Sequence, residues 1–177
     1  LLGAGGGVGS KLVGGGAPSP QIEASGGIIS DFTDPTGQIW KAHTFQHPGT
    51  FSVSAVSTVP APAGGSPNDV EYFVIGGGGG SGGDGGGGGG GGGYRLNIPG
   101  SPIGAPGSSY PISAKGDYVV EVGSGGAGRQ GNPAPGLNGK DSEFYPEGAS
   151  YPSPMYIKSW GGGGGGSFDA AGQPGGS

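Results

Sequence analysis

Residues 76–93 read GGGGGSGGDGGGGGGGGG, sixteen glycines in eighteen positions, interrupted only by Ser81 and Asp84. The run follows the apolar stretch VEYFVI at 70–75 and ends at Tyr94-Arg95. It carries no side chains from which an amphipathic helix or an alternating strand could be built, so whatever it does is done by bare backbone. We read it as an ordered structural element. The main extended conformation open to glycine is polyproline-II-like, with three residues per turn and a rise of about 3.1 Å. Such a strand makes no internal hydrogen bonds. Without Cβ atoms, neighbouring strands can approach closely enough to pair its N–H and C=O groups.

The magnitudes set a condition on this reading. Fixing a residue costs roughly 1–2 kcal/mol, with glycine at the expensive end. A net backbone hydrogen bond returns roughly 0.5–1.5 kcal/mol. The two nearly cancel, so an isolated run does not hold. It needs neighbours on several sides and anchors at its ends. Other glycine segments are expected to be the neighbours and the flanking strands the anchors. Lattice positions expected on this basis are Gly76, Gly80, Gly85, Gly93, Gly125, Gly161 and Gly166.

Working outward, the chain is a succession of strands and glycine runs. Strand-then-glycine units fall at 70–93, 117–139 (DYVVEV leading into GSGGAGRQGNPAPGLNG) and 155–166 (MYIKSW leading into GGGGGG). A first glycine-rich segment, LLGAGGGVGSKLVGGG, opens a 1–20 region that is expected to supply a fourth layer. Between them, 38–45 alternates Ile39, Lys41, His43 and Phe45 against Gln38, Trp40, Ala42 and Thr44, the period of a two-faced strand. His47-Pro48-Gly49-Thr50 reads as a turn, and 51–57 as the partner strand of a hairpin. Gly and Pro recur too often for a helix to start. The expected fold is all-β: short antiparallel strands, sandwich-like, feeding packed polyglycine-II layers. The expected organisation is an N-terminal glycine-rich segment (1–20), a β/glycine-rich domain (21–167) and a polar tail (168–177).

Composition narrows the function. The chain has 51 glycines and 17 prolines in 177 residues and only 31% hydrophobic residues, which argues against one large apolar core. No Gly-X-Y period exists, so it is not collagen. A net charge of −5 with seven scattered Lys and Arg argues against nucleic acid as a partner. No apolar run approaches the roughly 20 residues of a membrane helix. The absence of cysteine excludes disulfides and thiolate metal sites. The first residue is Leu, which implies a chain that begins after processing or lies inside a longer protein.

The ordered set AHTFQHPGTFSV, VEYFVIGGGGGSGGDGGGGGGGGGYR, DYVVEVGSGGAGRQG, NGKDSEF and IKSWGGGGGG resembles the glycine-rich domain of phage and viral structural proteins, especially tail-fibre-associated ones. The resemblance spans roughly 25–167. The glycine layers are also similar in architecture to the tip adhesins of T-even-like phages, in which packed polyglycine helices carry variable host-binding loops. Proline-rich inserts at 61–67, 99–111 and 147–154 depart from the family pattern of short turns. The resemblance implies a virion location and other virion proteins, copies of the chain and a host-surface glycan or protein as partners.

Sites of chemistry are few. Matches to G-x-G-x-x-G are compositional and open no helix, so they carry no nucleotide site. His43 and His47 are four apart but fall on a strand and a turn, without the geometry of a helical metal motif. The acidic residues are not fixed in pairs by any pattern, so no enzymatic activity and no cofactor are expected. Asp31-x-x-Asp34 and Asp141-x-Glu143 could hold calcium, with solvated loop charge as the plainer reading. The aromatics are the better lead, because loops carry function and tyrosine offers a rigid face with a polar tip. Tyr110, Tyr145 and Tyr151 are candidates for receptor contact or for capping glycine layers. Tyr94 and Trp160 abut glycine runs and are expected to cap them. The resulting expectation is a non-enzymatic, surface-exposed virion protein for host attachment at a tail fibre or spike. Capsid decoration and a cellular glycine-rich envelope or matrix protein are the alternatives.

Overall fold

A computed structural model describes residues 2–3, 21–35, 37, 39–58, 67–98, 107–131 and 133–175. The described chain is all-β, with no helix. Its strands are β1 (Leu2–Gly3), β2 (Glu23–Ser25), β3 (Ile28–Thr33), β4 (Ile39–Thr44), β5 (Gly49–Ala55), β6 (Asp69–Ile75), β7 (Tyr94–Asn97), β8 (Tyr110–Pro111), β9 (Gly116–Glu121), β10 (Ser142–Pro146) and β11 (Ile157–Ser159). They belong to two compact units. A β unit comprises Leu1–Phe73, Leu96–Val119 and Pro146–Gly148, and a glycine unit comprises Val74–Arg95, Val120–Tyr145 and Ala149–Ser177. The division is discontinuous in sequence.

The β unit is a sandwich. One sheet runs β3-β4-β1-β6, with β7 and β8 also on β6, and β5 lies between β2 and β9 in the other. β3 and β4 form an antiparallel hairpin in which Phe32 stands opposite Trp40 and Ile28 opposite Thr44. Its turn is closed by the Gly37 N–H on the Asp34 carbonyl at 2.9 Å, and Gly37 takes φ +87°. The chain changes sheets between β2 and β3 at Gly26-Gly27, with φ +110° and +66°. A Cβ on Gly26 would lie 2.0 Å from the Thr50 carbonyl oxygen, so the corner admits only glycine.

The expected hairpin between 38–45 and 51–57 does not form. β4 and β5 lie in different sheets and face each other across the core: the His43 ring meets Phe51 edge-on, centroids 5.0 Å apart. Gly49 sits inside β5 and does not take the left-handed φ that a tight hairpin turn would use. Each strand has an apolar side to bury, and packing the two sides together removes more surface from water than edge pairing would. Phe51 continues the core to Tyr118, and Tyr118 to Tyr110, in edge contacts at 6.3 and 6.2 Å. Phe51, Val70 and Ile112 are among the most deeply buried side chains there.

The first glycine-rich segment was expected to form a fourth layer. Its Leu2–Gly3 forms β1, antiparallel to both β4 and β6. The rest of 1–20, like 59–66 and 99–106 of the proline-rich inserts, lies outside the described residues.

In the glycine unit, the long run folds back on itself. Gly76, Gly79 and Gly82 donate N–H to the carbonyls of Gly93, Gly90 and Gly87 at 2.8–3.0 Å, an antiparallel pair that repeats every third residue. The reversal is at Asp84-Gly85, both with positive φ (50° and 72°), closed by the Gly86 N–H on the Gly83 carbonyl. Asp-Gly with two left-handed residues is a strong hairpin-turn signal, present in the sequence and hidden by the glycines around it. The run is therefore two segments, run 1 (76–83) and run 2 (86–93).

Four further segments complete the unit: run 3 (123–131), run 4 (134–140), run 5 (160–166) and run 6 (170–175). Run 1 donates from Gly77, Gly80 and Gly83 to the carbonyls of Lys140, Leu137 and Ala134 in run 4. It accepts at Gly77 and Gly80 from Gly162 and Gly165 of run 5, and at Gly78 and Ser81 from Gly126 and Arg129 of run 3. Run 5 also accepts from Gly87, Gly90 and Gly93 of run 2 and from Gly136 and Gly139 of run 4. The polar tail joins the unit: Ser167 and Ala170 form a bridge, and the Gln173 N–H reaches the Gly164 carbonyl at 2.7 Å.

Candidate binding surface of the glycine unit

The geometry divides the glycines that the sequence could not tell apart. A Cβ on Gly76, Gly80 or Gly161 would lie 2.1–2.2 Å from a carbonyl oxygen, and on Gly166 at 2.7 Å, so these four are closed to any side chain. At Gly93 and Gly125 the nearest atoms stand at 3.5 and 3.6 Å, ordinary contact distances. Gly85 meets nothing within 4 Å and is required by its positive φ at the turn. In run 1 the open position is every third one: Gly78 meets only Gly90 O, at 3.7 Å. Ser81 and Asp84, the two residues that break the long run, fall in that same phase. Run 5 is enclosed throughout, with all six glycines closed.

Side chains supply further bonds to the backbone of the runs. Ser159 at the end of β11 is buried and donates its hydroxyl to the Gly93 carbonyl at 2.6 Å. Asp141 accepts the Gly161 N–H at 2.8 Å, and Asn138 the Gly164 N–H at 2.9 Å.

Beside these anchors lies an aromatic and charged cluster carried by β10, β11 and the loop between them. Antiparallel pairing of β10 with β11 places Glu143 opposite Lys158. The Lys158 ammonium bridges Asp141 at 2.7 Å and Glu143 at 2.8 Å. It also lies 4.2 Å from the centroid of the Trp160 ring and 5.6 Å from that of Tyr151, a cation–π arrangement. Tyr156 donates its hydroxyl to Glu143 and stacks on Tyr145 at 4.3 Å with nearly parallel planes. Tyr151 meets Tyr156 and Trp160 edge-on, at 5.5 and 6.3 Å.

The charges tune each other. Burial disfavours the Lys158 ammonium, but its bonds to Asp141 and Glu143 outweigh this and hold its pKa above the usual lysine value. Burial also opposes the Asp141 carboxylate, yet Lys158 and the Gly161 N–H bring its pKa below the usual range. Burial and then the Glu143 carboxylate raise the Tyr156 phenol, which stays protonated and donating. The cluster thus sets one ammonium between two carboxylates, with its cation slot filled by the chain's own lysine.

The expected aromatics separate accordingly. Tyr151 is 55% exposed and Tyr145 half-buried in the cluster. Tyr110 is corrected: at 3% exposure it is a core residue of the β unit against Tyr118, unable to meet a receptor. Its place in a proline-rich sequence concealed the short strand β8, whose pairing Val70↔Tyr110 turns it inward. Of the expected caps, Trp160 opens run 5 and takes part in the cluster, its carbonyl accepting the Gly93 N–H at 2.8 Å. Tyr94 opens β7 and is 49% exposed. Lys158, the centre of the cluster, was not singled out by sequence; its only signal was a lone cation between Ile157 and Ser159.

The acidic pairs considered for calcium have other partners. Asp34 accepts the Trp40 indole N–H at 2.9 Å, and Asp31 stands opposite Lys41. Asp141 and Glu143 share Lys158. Among the described residues no group of three His, Cys, Asp or Glu is arranged around a common point. His43 donates from Nδ1 to the Gly26 carbonyl at 2.8 Å, and burial lowers its pKa.

Residues 49–177 match a family model described as a glycine-rich domain. No curated protein and no solved structure matches the chain. The match begins at the first residue of β5 and takes in all six glycine runs, so the chain belongs to the glycine-rich domain family.

Proposed function

We propose that the chain is a non-enzymatic, surface-displayed structural module of a virion, mounted at a tail fibre or spike, that attaches the particle to a host-surface glycan through the Tyr151 face of the glycine unit. The observation that carries this reading is the exposed Tyr151 ring, braced against Tyr156 and Trp160 over the Lys158 ion pairs. An aromatic face held rigid before binding loses little entropy on stacking against a sugar ring. The order of strand motifs and glycine runs, similar to that of phage and viral structural proteins, supports the virion setting. In this reading the six runs are layers of polyglycine II, supported by their three-residue hydrogen-bond period. Such layers form a scaffold whose rigidity comes from backbone, leaving the connecting loops free to vary.

Two measurements test it. Gold-labelled antibody against the chain should mark fibre or tail ends of purified particles in negative-stain electron microscopy. Label over the head would make the chain a shell component, and no label on any particle would end the virion reading. Purified protein should also bind intact host cells saturably, and Tyr151→Ala should weaken that binding by at least about tenfold with an unchanged circular dichroism spectrum. Equal binding by the variant removes the aromatic face from the mechanism.

A further inference from the structure

We infer that run 2 is an unfinished edge of the glycine array and that it docks the same run of a second copy of this chain. Within run 2, only Gly86, Gly89 and Gly92 are sterically closed, with a Cβ 2.0–2.2 Å from a carbonyl oxygen. At Gly87, Gly88 and Gly91 a Cβ meets nothing within 4 Å, and at Gly90 and Gly93 the nearest atom stands at 3.4 and 3.5 Å. Among the described residues nothing would therefore obstruct a side chain at five of the eight positions, and all five are glycine.

The other runs give the comparison. In the open phase of run 1, Gly78 is glycine, whereas Ser81 and, just beyond the run, Asp84 are not. Run 4 keeps glycine only at Gly136 and Gly139, its closed positions, and elsewhere carries Ala134, Pro135, Leu137, Asn138 and Lys140. Residues 161–166 of run 5 are all glycine, and a Cβ on any of them would meet backbone at 2.7 Å or less. Run 2 has the composition of an enclosed run and the surroundings of an edge.

A second observation concerns hydrogen bonding. Residues 87–91 are exposed, and among the described residues no hydrogen bond is made by the backbone of Gly88, Gly89, Gly91 or Gly92. The complementary groups in runs 1 and 5 are largely paired. Beside the edge lies a groove of about 380 Å³, lined by Gly88 and Gly91 of run 2, Gln173 and Gly175 of run 6, and glycines of run 5. It presents backbone polar groups and no charged side chain.

These features select the occupant. A strand entering at the spacing seen within the unit needs glycine wherever it meets a carbonyl, since a Cβ there would fall near 2 Å, as at Gly89. The longest uninterrupted glycine run in the chain is 85–93, nine residues, and it reads the same in both directions. Two copies can therefore pair antiparallel about a two-fold axis, each supplying donors and acceptors to the other. Runs 2 and 5 already pair antiparallel at three-residue intervals within one molecule, which gives the pattern of bonds. An edge of eight residues spans only about 25 Å, so one such contact is weak and gains strength where several copies are mounted together.

Sedimentation velocity over a concentration series, to about 1 mM, reads the association directly. The full chain should form dimers. Gly91→Asp and Gly88→Asp place a side chain where the isolated molecule has room, so they should fold as the parent does and weaken association by at least about tenfold. Gly125→Asp, in an open exposed position of run 3, should leave it unchanged. A chain monomeric at every concentration overturns the inference. So does a dimer that survives Gly91→Asp and Gly88→Asp, which would direct attention to another face, such as β3 with its exposed Ile28 and Phe32.

Discussion

Gly78 and Gly79 are adjacent, chemically identical and set in the same run, yet the structure assigns them opposite tolerances. A Cβ on Gly79 would lie 2.0 Å from the Gly163 carbonyl oxygen, more than 1 Å inside a normal contact, and the obstacle is backbone that cannot rotate away. Gly79→Ala must push runs 1 and 5 apart. The Gly79 N–H to Gly90 bond and the Gly90 N–H to Gly163 bond both lie at the displaced point. Overpacking costs about 1–3 kcal/mol, and loss of two backbone bonds adds about 1–3 kcal/mol. A destabilisation of about 2–6 kcal/mol follows. At Gly78 the nearest atom is 3.7 Å away, and the Gly126 N–H to Gly78 bond does not involve the added methyl. Gly78→Ala reduces the freedom of the unfolded chain and should be neutral or stabilising by about 0.4–1 kcal/mol. Guanidinium unfolding of the two variants, followed by circular dichroism with hydrogen exchange across 76–93 as a local probe, should separate them by at least about 2 kcal/mol. Equal effects at the two positions would refute the three-residue phase, and with it the account of why Ser81 and Asp84 stand where they do.

Two further outcomes follow from the burial and charge described above. Tyr110→Ala should destabilise the β unit by about 3–5 kcal/mol, the cost of removing a buried aromatic ring, while leaving cell binding by the folded fraction unchanged; this is read by thermal unfolding beside a binding assay. The Lys158 ion pairs should give a broad pH plateau. Asp141 has a folded pKa below its ordinary 3.8, so its contribution is complete above about that pH and is lost as pH falls through the folded value. Lys158 has a folded pKa above its ordinary 10.5, so its contribution is complete below about that pH and is lost as pH rises through the folded value. The protection factor at Gly161, whose N–H bonds Asp141, should stay flat between those limits in the parent, and Lys158→Met should abolish the high-pH limb.

Much of the architecture follows from composition. With 51 glycines and 17 prolines spread along the chain, helices have nowhere to start, and the apolar residues gather into short stretches of strand type. Those stretches are the strands observed: 70–75 is the body of β6, 117–121 lies within β9, and Ile157–Ser159 is β11. The need for each glycine run to have neighbours also follows from the sequence, because a bare backbone strand cannot balance its own entropy.

The tertiary structure decided what identical or ambiguous residues could not encode. A glycine run has no side chains, so it has no readable period; which of its positions are closed depends on neighbours as distant in sequence as Gly163 is from Gly79. Whether 38–45 and 51–57 pair by their edges or face each other depends on which sheet each joins, and that is settled by partners supplied from β1, β2, β3 and β9. Tyr110 and Tyr151 both lie among prolines, and only strand pairing separates them, one turned into the core by Val70 and the other left at the surface over Lys158. Sequence therefore specified the materials and the local elements, while contacts between distant segments specified their phase, partners and exposure.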